Sequence, residues 1–108
     1  MRPKMFWCVL AVSMIAGASP SQAAPSQYVV TMTNMSYGRV PGSVKVGDTI
    51  TWVNRDSVPH SITARNKSFD VRVNPGQRAQ MVLQKAGSFP FYCLYHPAMR
   101  GKIEVMAN

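Results

Sequence analysis

Histidine is scarce in this chain of 108 residues: there are two, His60 and His96. Cysteine is equally scarce, with Cys8 and Cys93 alone. Acidic side chains number four (Asp48, Asp56, Asp70 and Glu104) against twelve Lys and Arg, a formal net charge of +8. There is no internal repeat and no low-complexity tract. Beyond the first two dozen residues no segment sustains an apolar period of three to four, which argues against a helical fold. The basic excess is not accompanied by a recognition motif or an aromatic-basic stripe, so nucleic acid is not the expected partner. The charge argues for an acidic partner or surface and says nothing about fold.

The N-terminus reads as an address rather than as structure. Arg2 and Lys4 precede an apolar run, Met5 to Ala18, broken only by Ser13 and Gly17. Ser21-Gln22-Ala23 then offers small residues where a signal peptidase reads. Residues 1–23 are therefore expected to be a secretory signal peptide, cleaved after Ala23, and residues 24–108 a single domain delivered to the periplasm. The run is short for a bilayer span, so no stable membrane insertion is expected after cleavage; an uncleaved anchor is the alternative. No paired arginines mark the twin-arginine route.

Cleavage changes the cysteine arithmetic. Cys8 leaves, and Cys93 remains as the only thiol of an 85-residue remainder. A lone thiol in an oxidising compartment is a liability unless something occupies it. A buried free cysteine acting as a small hydrophobe is the plain alternative. A core this small is marginal by surface-to-volume scaling, and a bound metal would add folding free energy.

Short β-rich runs fill the remainder. Tyr28–Thr33, Ser43–Val46, Thr49–Val53, Ser61–Thr63, Phe69–Val73, Ala79–Leu83, Phe89–Tyr92 and Lys102–Met106 are the expected strands. Val40-Pro-Gly42, Gly47-Asp48, Asn74-Pro-Gly76 and Ala86-Gly-Ser88 separate them as turns. In Thr49–Val53 the alternation puts Ile50 and Trp52 on one face. This spacing reads as an all-β sandwich or barrel. Pro90 marks an edge position or an irregularity in its run.

Chemistry concentrates in seven residues, Cys93-Leu94-Tyr95-His96-Pro97-Ala98-Met99. They place a thiol, an imidazole and a thioether in one short loop, and His60 supplies the second imidazole from elsewhere. One thiolate, two imidazoles and a weak thioether are the donor set of a mononuclear type 1 copper centre. The soft donors suit Cu(I) and the nitrogens suit Cu(II), so little has to move when an electron arrives. Other readings compete. Zinc takes Cys and His but not Met, and structural zinc sites use four strong ligands. A binuclear copper site needs a second cysteine, and copper oxidases need more histidines. A Cys93 nucleophile with His96 as base is formally open, although nothing upstream supplies an oxyanion hole. Taken singly, each of these residues is unremarkable; together they share one loop and exhaust the histidines.

The chain here resembles the cupredoxins, and among them the amicyanins. The C-x-x-H-x-x-M spacing is similar to theirs, as are Val44-Lys-Val-Gly-Asp-Thr-Ile-Thr-Trp-Val-Asn-Arg-Asp56, Val58-Pro-His60, Ala86-Gly-Ser88 and Met99-Arg-Gly-Lys102. The resemblance implies a Greek-key β-sandwich with copper at one end under the loops. It implies His60, Cys93, His96 and Met99 as metal ligands, and Asn54 as the residue that ties the first-histidine strand to the cysteine strand. Two loop positions depart from the pattern. Leu94 stands where a small hydroxyl residue is usual, which removes a hydrogen bond to Asn54. Tyr95 stands where proline is frequent; its N–H, which proline lacks, is expected to point at the Cys93 sulfur and raise the reduction potential.

The function expected is a soluble periplasmic electron carrier and not an enzyme. A copper delivery or storage module is the runner-up. For that second role Met32 and Met35 could form a methionine patch, although they read better as a strand and the turn after it. His96 would emerge at the surface among Leu94, Pro97 and Ala98, a small apolar patch suited to weak redox encounters. Arg39, Arg55, Arg65, Lys67, Arg100 and Lys102 would form a basic rim that steers an acidic redox partner: an amine dehydrogenase, a c-type cytochrome or a copper reductase. The protein is expected to be a monomer.

Overall fold

The computed structural model describes residues 24–108; the expected signal peptide lies outside the described residues. Nine strands follow in chain order: β1 (Gln27–Thr33), β2 (Ser36–Tyr37), β3 (Val44–Lys45), β4 (Thr49–Asn54), β5 (His60–Ala64), β6 (Asp70–Val73), β7 (Arg78–Val82), β8 (Gly87–Tyr92) and β9 (Arg100–Met106). They form two sheets, ordered β2-β1-β4-β7 and β3-β9-β8-β5-β6. The fold is an all-β Greek-key sandwich, as the strand spacing and the resemblance led one to expect. Among the described residues no helix is long and apolar enough to cross a membrane.

Both sheets combine antiparallel neighbours with one parallel pair. β1 runs parallel to β4, with Val30 opposite Trp52, and β3 runs parallel to β9, with Val44 opposite Val105. A parallel pair cannot be closed by a tight hairpin, so the chain must leave the sheet and return. That exchange encloses the core. Ile50 and Trp52 point into it, fully buried, as the alternation of β4 predicts. Thr51 and Val53, on the opposite face of β4, are buried as well. Trp52, Phe91 and Tyr37 pack edge to face with ring centroids 5.0 to 6.0 Å apart. A buried Phe-sized side chain contributes about 1.5–3 kcal/mol, so this triad is a substantial part of a small core.

Asp48 pins the end away from the ligand loop. It follows Gly47, whose φ of +97° suits the turn before β4. Its completely buried carboxylate accepts the backbone N–H groups of Ser26 and Lys45, each at 2.8 Å. These backbone donors, that of Ser26 foremost, hold its pKa below the ordinary carboxylate value although burial opposes them.

Three local features differ from the sequence reading. β2 was not anticipated, since two residues are too few to show alternation. It pairs with β1 across a two-residue turn, Asn34–Met35, whose φ values of 55° and 59° mark a type I′ hairpin. Met32 is buried in β1 and Met35 is exposed in the turn, so the two form no patch. Ala86-Gly-Ser88 is not all turn, because β8 begins at Gly87. Pro90 lies in an interior strand, not at an edge. It is tolerated because β5 pairing with β8 ends at Ala64↔Phe91, and the Pro90 carbonyl accepts Arg65 N–H beyond that point.

Candidate metal centre

The register of β5 against β8 brings the two candidate segments together. Thr63 pairs with Tyr92, so the first residues of β5 and the residue after β8 meet at one end of the sheet. His60 opens β5 and Cys93 follows β8. Their side chains meet in the interior: Cys93 Sγ lies 3.9 Å from His60 Nδ1, and both residues are fully buried.

The seven-residue loop is folded back on itself. Met99 N–H donates to the His96 carbonyl at 2.8 Å, and Cys93 N–H donates to the Met99 carbonyl at 3.1 Å. Met99 is thereby buried beneath the loop. His96 packs edge-on against His60, with ring centroids 5.3 Å apart. Its Nε2 is shielded from water and has no hydrogen-bond partner in the protein. A buried polar atom left unpaired costs about 1–3 kcal/mol. An imidazole nitrogen so placed, beside a second imidazole and a buried thiol, is the arrangement a metal ion would relieve. Among the described residues no three His, Cys, Asp or Glu side chains are already gathered at metal-holding spacing. The donors present are close but not closed around a point. Thiol, imidazole and thioether together suit copper better than zinc.

His60 is held from its other side. Its Nε2 lies 2.7 Å from Asp56 Oδ2. Asp56 also accepts N–H from Asn34 at 2.7 Å and from Met35 at 2.9 Å. These donors, His60 first, hold its pKa below the ordinary carboxylate value.

Asn54 is fully buried but does not bridge to the cysteine strand. Its side-chain N–H groups donate to the carbonyls of Val58 at 2.8 Å and Val73 at 3.0 Å, while its Oδ1 accepts Asp56 N–H at 2.9 Å. It shapes the loop that carries Asp56 and His60. The bridge comes instead from Ser61, a residue the sequence reading passed over. Ser61 N–H points at Cys93 Sγ at 3.4 Å, and Ser61 Oγ accepts Leu94 N–H at 2.8 Å. The hydroxyl missing at Leu94 is thus supplied from the opposite strand. The N–H donor on the sulfur is that of Ser61, where the sequence reading put Tyr95.

Leu94 and Tyr95 present exposed side chains, 39% and 45% accessible. Tyr95 sits beside Arg72, whose pKa is raised chiefly by its bonds to Asp70 and next by the Tyr95 hydroxyl. Tyr95 therefore connects the ligand loop sideways to β6. Ser61 and Asp56 had one legible signal: they stand one residue after and four before His60, where a strand start and a loop turn back on the ligand.

Residues 5–105 match the family described as Cupredoxin-like domain. The amicyanin of Paracoccus denitrificans is 32% identical over 91 residues, covering 79% of this chain and 70% of that protein. Amicyanin-alpha of Methylorubrum extorquens is 26% identical over 101 residues, covering 86% of this chain and 85% of that one. A Cu(I) structure of an amicyanin variant superposes with a TM-score of 0.66 at 30% identity, covering 80% of this chain and 86% of that chain.

Proposed function

The chain belongs to the cupredoxin-like family, and on that premise we propose that it is a periplasmic carrier of single electrons with one type 1 copper. The observation that carries this reading is the approach of His60 Nδ1 to the buried Cys93 sulfur, with the unpartnered His96 nitrogen beside them. His60, Cys93 and His96 are the proposed strong ligands and Met99 the weak one. Copper held there would supply the one-electron chemistry of the Cu(II)/Cu(I) pair.

The chain's own residues do the rest. Burial of Cys93 and His60 keeps water from the sulfur, and Ser61 N–H offsets thiolate charge. Two short loops anchored to one sheet resist rearrangement between oxidation states. His96 lies in the loop with exposed Leu94, Pro97 and Ala98 around it, a small apolar contact for a transient partner. Arg39, Arg55, Arg65, Lys67 and Arg100 are exposed and, among the described residues, in no ion pair, whereas Lys102 pairs with Glu104 at 3.2 Å. Arg65 lies 4.4 Å over the Tyr92 ring. This rim suits an acidic redox protein such as an amine dehydrogenase or a c-type cytochrome.

Adding Cu(II) to the mature protein and recording visible and electron paramagnetic resonance spectra tests the reading. An intense thiolate-to-copper band with narrow hyperfine splitting is expected. Colourless binding, with copper passed readily to a chelator, would favour a delivery or storage module.

A further inference from the structure

We propose that Asp70 is a positioning residue that holds the first peptide of the ligand loop through a relay of two hydroxyls, those of Thr63 and Ser61. This rests on the copper reading above, since that peptide is the one that follows Cys93. Ser61, Thr63, Asp70 and Arg72 share one face of the β5–β6 pair. Ser61 stands opposite Arg72 and Thr63 opposite Asp70, while Ile62 between them joins the core. A line of hydrogen bonds runs from the loop across this face. Leu94 N–H donates to Ser61 Oγ at 2.8 Å, Ser61 Oγ lies 2.8 Å from Thr63 Oγ1, and Thr63 Oγ1 lies 3.0 Å from Asp70 Oδ1. Arg72 closes the line with two bonds to the carboxylate, Nε to Oδ1 at 2.8 Å and Nη2 to Oδ2 at 2.7 Å.

The direction of each proton follows from the far end of the line. Arg72, ahead of the other causes, holds the Asp70 carboxyl below the ordinary carboxylate pKa. An ionised carboxylate only accepts, so Thr63 must donate its single hydroxyl proton to Asp70. The Thr63 oxygen is left to accept from Ser61 O–H, and the Ser61 lone pairs then face Leu94 N–H. Hydrogen bonds in such a chain polarise one another, so the charge on Asp70 strengthens the acceptor that meets the loop. The Asp70–Arg72 pair is about half exposed and adds little stability of its own. Its contribution is a fixed charge at the end of a line whose two hydroxyl residues, Ser61 and Thr63, are buried. Cys93 is thereby clamped on both sides: its own N–H donates to the Met99 carbonyl, and the next N–H is held by Ser61. A merely structural Asp70 would pair with Arg72 and leave Leu94 indifferent to its charge.

Three readouts test the relay: the Leu94 amide proton shift and its hydrogen exchange in the metal-free protein, and the rate at which the copper-loaded protein yields copper to a chelator. They are compared in the wild type, Asp70→Asn, Thr63→Val, Thr63→Ser and the Asp70→Asn/Thr63→Val double variant. Thr63→Val keeps the branched shape without the hydroxyl, and Thr63→Ser keeps the hydroxyl. An amide proton moves upfield as its hydrogen bond weakens. Asp70→Asn and Thr63→Val should each move Leu94 N–H upfield, whereas Thr63→Ser should stay near the wild type. In Thr63→Val, exchange and copper release should each be about 2- to 10-fold faster. Once Thr63→Val has cut the line, adding Asp70→Asn should change nothing further. An equal Asp70→Asn shift in both backgrounds would mean that the charge acts through space, and overturns the inference. So does a Leu94 proton unmoved by Thr63→Val, or a blue protein whose copper release ignores that variant. Should Thr63→Val not fold, Asp70→Asn at its half-exposed site decides alone: an unmoved Leu94 proton overturns the inference. A wild type that forms no blue centre overturns the copper reading, while the metal-free shifts still decide the relay.

Discussion

Ser61 N–H points at the Cys93 sulfur across 3.4 Å, and the Ser61 hydroxyl accepts Leu94 N–H at 2.8 Å. One residue thus holds both the sulfur and the first peptide of the ligand loop. Ser61→Ala keeps the backbone donor and removes only the hydroxyl, which also bonds Thr63 Oγ1 at 2.8 Å. Leu94 N–H is then left without its acceptor. A loss of about 1–2 kcal/mol is expected from urea unfolding of the metal-free protein, with the thiolate-to-copper band retained.

Tyr95→Pro tests the departure in the ligand loop. Since the sulfur takes its N–H from Ser61, deleting the Tyr95 N–H should leave the potential close to that of the wild type. The side chain matters elsewhere, because its hydroxyl lies against Arg72. Voltammetry of the variant decides the matter. A marked fall in potential would assign the sulfur's effective donor to Tyr95 instead.

Asp48→Asn should cost about 1.5–3 kcal/mol near neutral pH, because a buried carboxylate with two backbone donors is replaced by an amide with one oxygen. The sign of its pH dependence follows from its lowered pKa. The wild-type advantage is complete above the unfolded value of about 4 and disappears as pH falls through the lower folded value. Unfolding free energies of both proteins at pH 7 and at successively lower pH should converge in acid. A constant difference would mean that the carboxylate's charge contributes nothing.

Gly101→Ala introduces a Cβ into space occupied by the Phe91 ring, which is fully buried against Tyr37 and Trp52. The ring has no free direction in which to retreat. Overpacking of this kind costs about 1–3 kcal/mol. A lowered Tm with an unaltered copper spectrum is expected, since the contact lies in the sandwich core.

Much of the fold was legible in the chain. Ile50 and Trp52 alternate with Thr49, Thr51 and Val53, and the structure buries Ile50 and Trp52 completely. Asn74-Pro-Gly76 turns as its composition demands, with Gly76 at a φ of +76°. β2 escaped notice because two residues carry no period, while at Pro90 the irregularity and not the edge is what the structure has, since pairing with β5 stops at Phe91. The candidate donors were legible for a chemical reason. Cys93, His96 and Met99 share one loop, and His60 is the only other histidine.

What the sequence by itself determined is the inventory: strands from local alternation, turns from glycine and proline, and a thiol, two imidazoles and a thioether as the available donors. Which groups surround those donors was decided only by tertiary structure. Asn54 was expected to brace the cysteine strand, but it shapes the loop before His60, and Ser61 braces the cysteine. Asp56 reaches both His60 and a turn more than twenty residues upstream. Hydrogen bonds of this kind depend on the register of β5 against β8 and on the parallel pairing of β1 with β4. Those pairings come from packing two sheets over one core, and no local pattern encodes them.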